Sequence, residues 1–371
     1  MSGQKPDQPV SLGLDNVVAA ETVLSEVDGL RGRLVIRGLP VESLARQETF
    51  ESVAHLLFEG FFEDLPAPPL FARALGAARA DAFAETAAMD ARLLALEPIE
   101  AMRALIARLP DGDGRGAALA LLAAPAVFLP AILRAQQGLP PVAPDPSRGH
   151  ADDMLRMLTN DEPAPGHAAA LDAYLVTVAD HGLNASTFAS RVVASTWSGL
   201  TSSVLAGIGA LKGPLHGGAP GPVIEMLDGI GTAENARPWI EAALDRGDRL
   251  MGFGHRIYRV RDPRADALKG AVKRLAEKSN ALPGRLALAE AVEKAAIDIL
   301  SRRKPDRPLD VNVELYTALL LEALHFPPSA FTPVFACART AGWIAHAREQ
   351  RLNGRLIRPQ SVYVGPEPLA A

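Results

Sequence analysis

Four short segments gather side chains that can move protons or hold anions, each set among glycines. In Gly213-Pro214-Leu215-His216-Gly217-Gly218 the glycines let backbone and substrate approach a histidine closely. Gly252-Phe253-Gly254-His255-Arg256-Ile257-Tyr258-Arg259 runs on to Asp262-Pro263-Arg264. Arginine's planar fork suits carboxylate and phosphate, and Pro263 suits the first turn of a helix. Asn312-Val313-Glu314-Leu315-Tyr316 offers a carboxylate at a helix start. His181-Gly182-Leu183-Asn184-Ala185-Ser186-Thr187 falls at a break between helical stretches. Each segment also has a plainer reading. The first is then a helix-ending turn, the second a solvated basic loop, and Glu314 a complement to the helix dipole. Asn184 and Ser186 would cap a helix, and Arg339 and Arg358 would be surface charges.

Other chemistries lack their signatures. The histidines are far apart and show no HExxH spacing, so no metal site is expected. There is no GxSxG elbow, no GxxxxGK[ST] loop and no GxGxxG fingerprint. What remains is acid, base and cation chemistry by histidines, one carboxylate and arginines.

The elements that must position these residues read as mainly α. Apolar residues recur at helical spacing over residues 50–57, with Gly60 as a stop, and over 165–180, 185–211, 263–278, 282–301 and 329–350. Residues 22–27 and 33–36 flank Asp28-Gly29 as a hairpin, and 362–364 read as a short terminal strand. Proline-rich residues 139–147 read as a surface connection. The apolar stretch 117–133 approaches membrane length, but Pro125, Pro130 and its many alanines predict a buried, kinked helix or a helix pair instead. No membrane partner is expected.

The chain of 371 residues is long enough for one large and one smaller domain. Its net charge of -5 and pI near 5.9 count against nucleic-acid binding, so an anionic substrate must be held by locally placed cations. The single cysteine, Cys337, permits no internal disulfide and is expected in the core. No secretory signal is visible, and the cytoplasm is the expected location.

The motifs GPLHGG, GFGHRIYRVRDPRA, NVELY, FACARTAGWIAH and IRPQSVYVG, taken together, resemble the citrate synthase family. GLDNVVAAETVLSEVDGLRGRLVIRG and HGLNASTFASRVVAST are similar to the same family's shorter bacterial and archaeal members. The resemblance covers nearly the whole chain in the family's order. It implies a large helical domain (residues 1–216 and 311–371), a small one (217–310) and an active site in the cleft between them. It also implies a homodimeric acyltransferase that joins acetyl-CoA to oxaloacetate, as in the tricarboxylic acid cycle, with CoA thioester as co-substrate and no other cofactor. By position, His216 matches the histidine that holds the thioester oxygen, His255 the one that polarises the ketone, and Glu314 the base. His181, Arg264 and Arg339 match oxaloacetate-binding groups. Arg259 matches a CoA-phosphate contact, and Arg358 an arginine lent by the partner subunit.

The chain departs from the family pattern in four places. Glu314 replaces the aspartate of NVDFY. Pro220 and Gly221 replace two polar residues near His216, Gly182 replaces a glutamate, and Gln360 replaces an arginine. These mark a divergent paralogue and open two alternatives: a 2-methylcitrate synthase using propionyl-CoA, or a weakly active or non-catalytic dicarboxylate- or CoA-binding paralogue.

Overall fold

The computed structural model describes residues 11–14, 17–217, 220–255, 257–279, 283–305 and 309–366. Gly218, Arg256 and Leu282 lie outside these residues, as does the side chain of Pro220. Among the described residues the protein has sixteen α-helices and one small antiparallel sheet of strands Ser25–Asp28, Arg33–Ile36 and Leu39–Pro40.

The apolar stretch becomes one helix, Arg115–Gln136, with Pro125 and Pro130 inside it. It is long and apolar enough to cross a membrane, but 83% of its most apolar window is buried within the protein. Helices Pro68–Phe83, Pro98–Ile106, His150–Thr159 and Phe331–Asn353 pack around it and take up its apolar surface. Cys337, on the last of these, is fully buried.

The hairpin forms where expected, with Ser25 opposite Ile36 and Asp28 opposite Arg33. Its turn is made by Asp28, whose Oδ1 accepts from the amides of Leu30 and Arg31, both at 3.0 Å. The turn rests on the loop that follows His255: the Arg259 amide donates to the Gly29 carbonyl at 2.8 Å. A Cβ on Gly29 would sit 2.3 Å from the Ile257 carbonyl oxygen, so only glycine allows that approach.

Helix Pro263–Lys278 has the expected bounds, because Asp262 caps it and Pro263 opens it. The expected helix over 185–211 is instead two, Ala185–Ser195 and Leu200–Leu211. Trp197 between them has φ of 69°. The second helix starts afresh because Asp111 caps it from a distant loop, accepting from the Thr201 amide at 2.9 Å. Residues 362–364 form no strand; Tyr363 and Val364 are exposed and pair with none of the sheet's strands.

Candidate active site

Six of the eight residues singled out in the sequence line one cavity of about 580 Å³: His181, His216, His255, Arg264, Glu314 and Arg339. Convergent polar groups in a concave pocket are the usual form of a small-molecule site.

Two links set the geometry. Phe253 and Val311 form an isolated antiparallel bridge. The amide of Asn312 donates to the Gly252 carbonyl, and its side-chain Nδ2 to that of Gly254, both at 2.9 Å. Asn312 also caps helix Val313–Ala323, accepting from the Glu314 amide at 3.0 Å. The histidine loop and the helix carrying Glu314 are thereby fixed to each other. Asp262 supplies the second link. It grips Arg264 through Nε at 3.0 Å and Nη2 at 2.8 Å, and accepts from the Val313 amide at 3.2 Å.

The cations are buried. Arg264 is 5% exposed and Arg339 1%. Arg339 donates from Nε to the Val178 carbonyl at 2.7 Å and lies over the Phe335 ring. Burial brings its pKa down to about 10, with the nearby Asp180 opposing. A cation held this far from water has unmet demand for an anion.

The three histidines are neutral near pH 7. Burial, then Arg264, brings His255 down to about 4. Burial, then Arg339, does the same for His216. Burial holds His181 well below the usual histidine range. His255 Nδ1 accepts from the amides of Ile257 at 3.0 Å and Tyr258 at 3.1 Å, so its one proton sits on Nε2. That nitrogen is 3.2 Å from Arg264 Nη2, and two donors so close call for one shared acceptor. His216 Nε2 is 2.8 Å from Ser186 Oγ, which also receives the Trp343 indole N–H at 3.2 Å. Of the two suspected caps, Asn184 does cap helix Ala185–Ser195, whereas the Ser186 hydroxyl also serves His216.

Glu314 is only partly exposed, and burial raises its pKa above the usual carboxylate value against the pull of Arg264. A carboxylate tuned upward in a cavity suits proton abstraction.

Arg259 and Arg358 do not join this cluster; both are exposed, Arg358 in the extended segment after helix Phe331–Asn353. Among the described residues, no three His, Cys, Asp or Glu side chains group closely enough to hold a metal ion.

Sequence reasoning passed over the supports. Asp180 receives the Ser25 hydroxyl and faces His346 Nε2 at 3.2 Å, which ties the hairpin to the His181 turn. Gly182, with φ of 59°, lets that turn meet the hairpin, since a Cβ there would lie 3.2 Å from Val27 Cγ2. The residue that replaces the family's glutamate is thus one the backbone favours. Asp262 was visible in the DPR motif, where an acid before proline at a helix start signals a cap.

The chain is similar to known proteins along nearly its whole length. A family model described as citrate synthase, C-terminal domain, matches residues 13–360. A Mycobacterium tuberculosis protein provisionally named citrate synthase 2 is 40% identical over 364 residues, spanning 96% of this chain and 93% of its own. The crystal structure of citrate synthase from Pyrobaculum aerophilum matches with a TM-score of 0.86 at 32% identity, over 99% of this chain and 95% of that one. Citrate synthase from Thermoplasma acidophilum, solved as a ternary complex with carboxymethyl coenzyme A and oxaloacetate, matches with a TM-score of 0.84 at 26% identity, over 98% of each.

Proposed function

The chain belongs to the citrate synthase family, and we propose that it condenses acetyl-CoA with oxaloacetate, releasing citrate and CoA. The observation that carries this reading is the convergence of three neutral histidines, two buried arginines and one carboxylate on a single cavity.

In this mechanism Arg264, Arg339 and His181 take the carboxylates and carbonyl of oxaloacetate, where charge-assisted bonds are strongest. Glu314 removes a methyl proton from the thioester. His216 donates to the thioester oxygen as negative charge develops there. This requires the Ser186 hydroxyl to give its proton to Nε2, leaving Nδ1–H for the substrate. The nucleophilic carbon attacks the ketone. His255 Nε2–H, beside Arg264, polarises that oxygen and supplies its proton. Water then cleaves the citryl thioester.

The two-domain division at residues 217 and 310, a homodimer, Arg358 reaching a partner's cavity and Arg259 meeting CoA phosphate all belong to the same proposal. So do a cytoplasmic location, a place in the tricarboxylic acid cycle, and the need for no cofactor besides the CoA thioester. The exposure of Arg358 in one chain is compatible with its serving a second.

Thiol release by the purified protein tests the reading, using oxaloacetate with acetyl-CoA or propionyl-CoA, and each thioester alone as the hydrolysis control. We expect release that depends on oxaloacetate, is faster with acetyl-CoA and falls about 10²–10⁴-fold in His255→Ala. Faster release with propionyl-CoA would name a 2-methylcitrate synthase. No release from a folded protein that still binds oxaloacetate would leave a binding paralogue.

A further inference from the structure

Tyr258 is 3% exposed and contacts three residues that line the cavity. Its phenolic oxygen is 3.0 Å from His181 Nε2. Its ring centre lies 4.8 Å from that of His255 and 5.7 Å from the Arg264 guanidinium carbon. Its backbone amide is one of the two that donate to His255 Nδ1.

The direction of the Tyr258–His181 bond follows from counting protons. Among the described residues the phenol has one hydrogen-bond partner, His181 Nε2. A buried hydroxyl without an acceptor is costly, so the phenol donates to Nε2. The neutral ring then carries its own proton on Nδ1. Ser186 differs, because its hydroxyl reaches both Asn184 Oδ1 and His216 Nε2 and can give its proton to either. Burial also raises the Tyr258 phenol well above the usual tyrosine value, so it remains a donor throughout the working pH range.

We propose that Tyr258 is a positioning residue that sets the tautomers of both oxaloacetate-side histidines. Its hydroxyl holds His181 as the Nδ1–H form, and its amide holds His255 as the Nε2–H form. With Nε2 occupied by the phenol, the nitrogen left for an incoming carboxylate is Nδ1, and it meets the anion as a donor. The other tautomer would present a lone pair and repel it. One residue thereby serves two rings by different means, side chain for one and backbone for the other. This inference rests on the reading of the cavity as an oxaloacetate site.

Nitrogen-15 NMR of the histidine-labelled protein near pH 7 tests it, with signals assigned through His181→Asn and His255→Asn. The unsubstituted protein should show His181 protonated on Nδ1 and His255 on Nε2. Tyr258→Phe keeps the ring and the amide but removes the hydroxyl. It should move His181 toward the Nε2–H form and leave His255 unchanged. Oxaloacetate affinity by calorimetry should fall about tenfold. The KM for acetyl-CoA should hold, and kcat at saturating oxaloacetate should stay within about threefold. His181 protonated on Nε2 in the unsubstituted protein would overturn the proposal. So would a Tyr258→Phe protein with the same tautomer and the same affinity. If the unsubstituted protein binds no oxaloacetate, the functional reading fails, and the NMR tautomer still decides the role of Tyr258.

Discussion

The two ends of the cavity are built differently. At one end His181, Arg264 and Arg339 are each at most 6% exposed, and each is held by a partner: Tyr258, Asp262 and the Val178 carbonyl. At the other end His216 hangs on a turn whose neighbour Leu215 is fully exposed, and Glu314 forms no ion pair with the described residues. The first end is rigid before any ligand arrives. The second is more open: among the described residues His216 rests on one side-chain contact, with Ser186, and its turn is exposed at Leu215. Preorganised donors stabilise a bound anion without reorganising. A looser end can close over a second substrate once the first is in place. The contrast makes a rule that can be tested: substitutions at the rigid end alter binding and stability, and substitutions at the open end alter turnover.

Glu314→Gln should have the largest effect. Removing the base should lower oxaloacetate-dependent thiol release about 10²–10⁴-fold, with Tm and oxaloacetate affinity little changed. A loss of oxaloacetate affinity as large as the loss of rate would break the contrast. Arg339→Leu should come next. It should weaken oxaloacetate binding about a hundredfold, because in the proposed mechanism Arg339 holds a carboxylate by charge-assisted bonding. Stability should not fall with it. Bringing this guanidinium down to about 10 from 12.5 corresponds to about 3 kcal/mol of strain on the charged form. The charge-assisted bond to the Val178 carbonyl returns about 1.5–3 kcal/mol, no more than that strain. The ligand-free variant should therefore melt at least as high, and a fall of several degrees would make Arg339 a structural residue.

Glu314→Asp sharpens the open end. A side chain one methylene longer than the family's aspartate displaces the carboxylate by about 1 Å, which can cost about a hundredfold in rate. Shortening it should raise turnover with acetyl-CoA by up to that factor. An unchanged or lower rate would show that the backbone here is already set for glutamate.

The same division governs how much could be read from the sequence. His216, His255, Glu314 and the arginines are legible because reactive residues among glycines are uncommon in a helix-rich chain, and their order matches a family. Helix Pro263–Lys278 is legible because its start signal is local, in Asp262 and Pro263. The break at Trp197 is not, because the cap that restarts the helix is Asp111, far away in sequence. Nor is the pairing of Ser25 with Asp180, or of Tyr258 with His181: each joins elements more than 70 residues apart. The 362–364 segment has strand composition, but a strand needs an edge, and composition cannot supply one.

The smallest predicted effect concerns pH. His181 and His216 are neutral when folded, with pKa values below the unfolded value of 6.5. Between about pH 6.5 and the folded value, the unfolded chain binds protons that the folded chain refuses, so stability falls as pH falls. For His216 that loss ends near its folded value of about 4. For His181, at the rigid end, burial also holds the ring neutral well below 6.5, so it contributes in the same sense. Asp172, pushed up to about 7 by burial, acts in the opposite sense between about pH 4 and 7. Because Asp172 is common to every variant, the comparison should be between variants. Urea unfolding from pH 7 to 4 should show a flatter decline in His181→Asn and in His216→Asn than in the unsubstituted protein. A slope flattened in His216→Asn but unchanged in His181→Asn would put the more water-excluded ring at the open end, and the contrast between a rigid and an open end would fail.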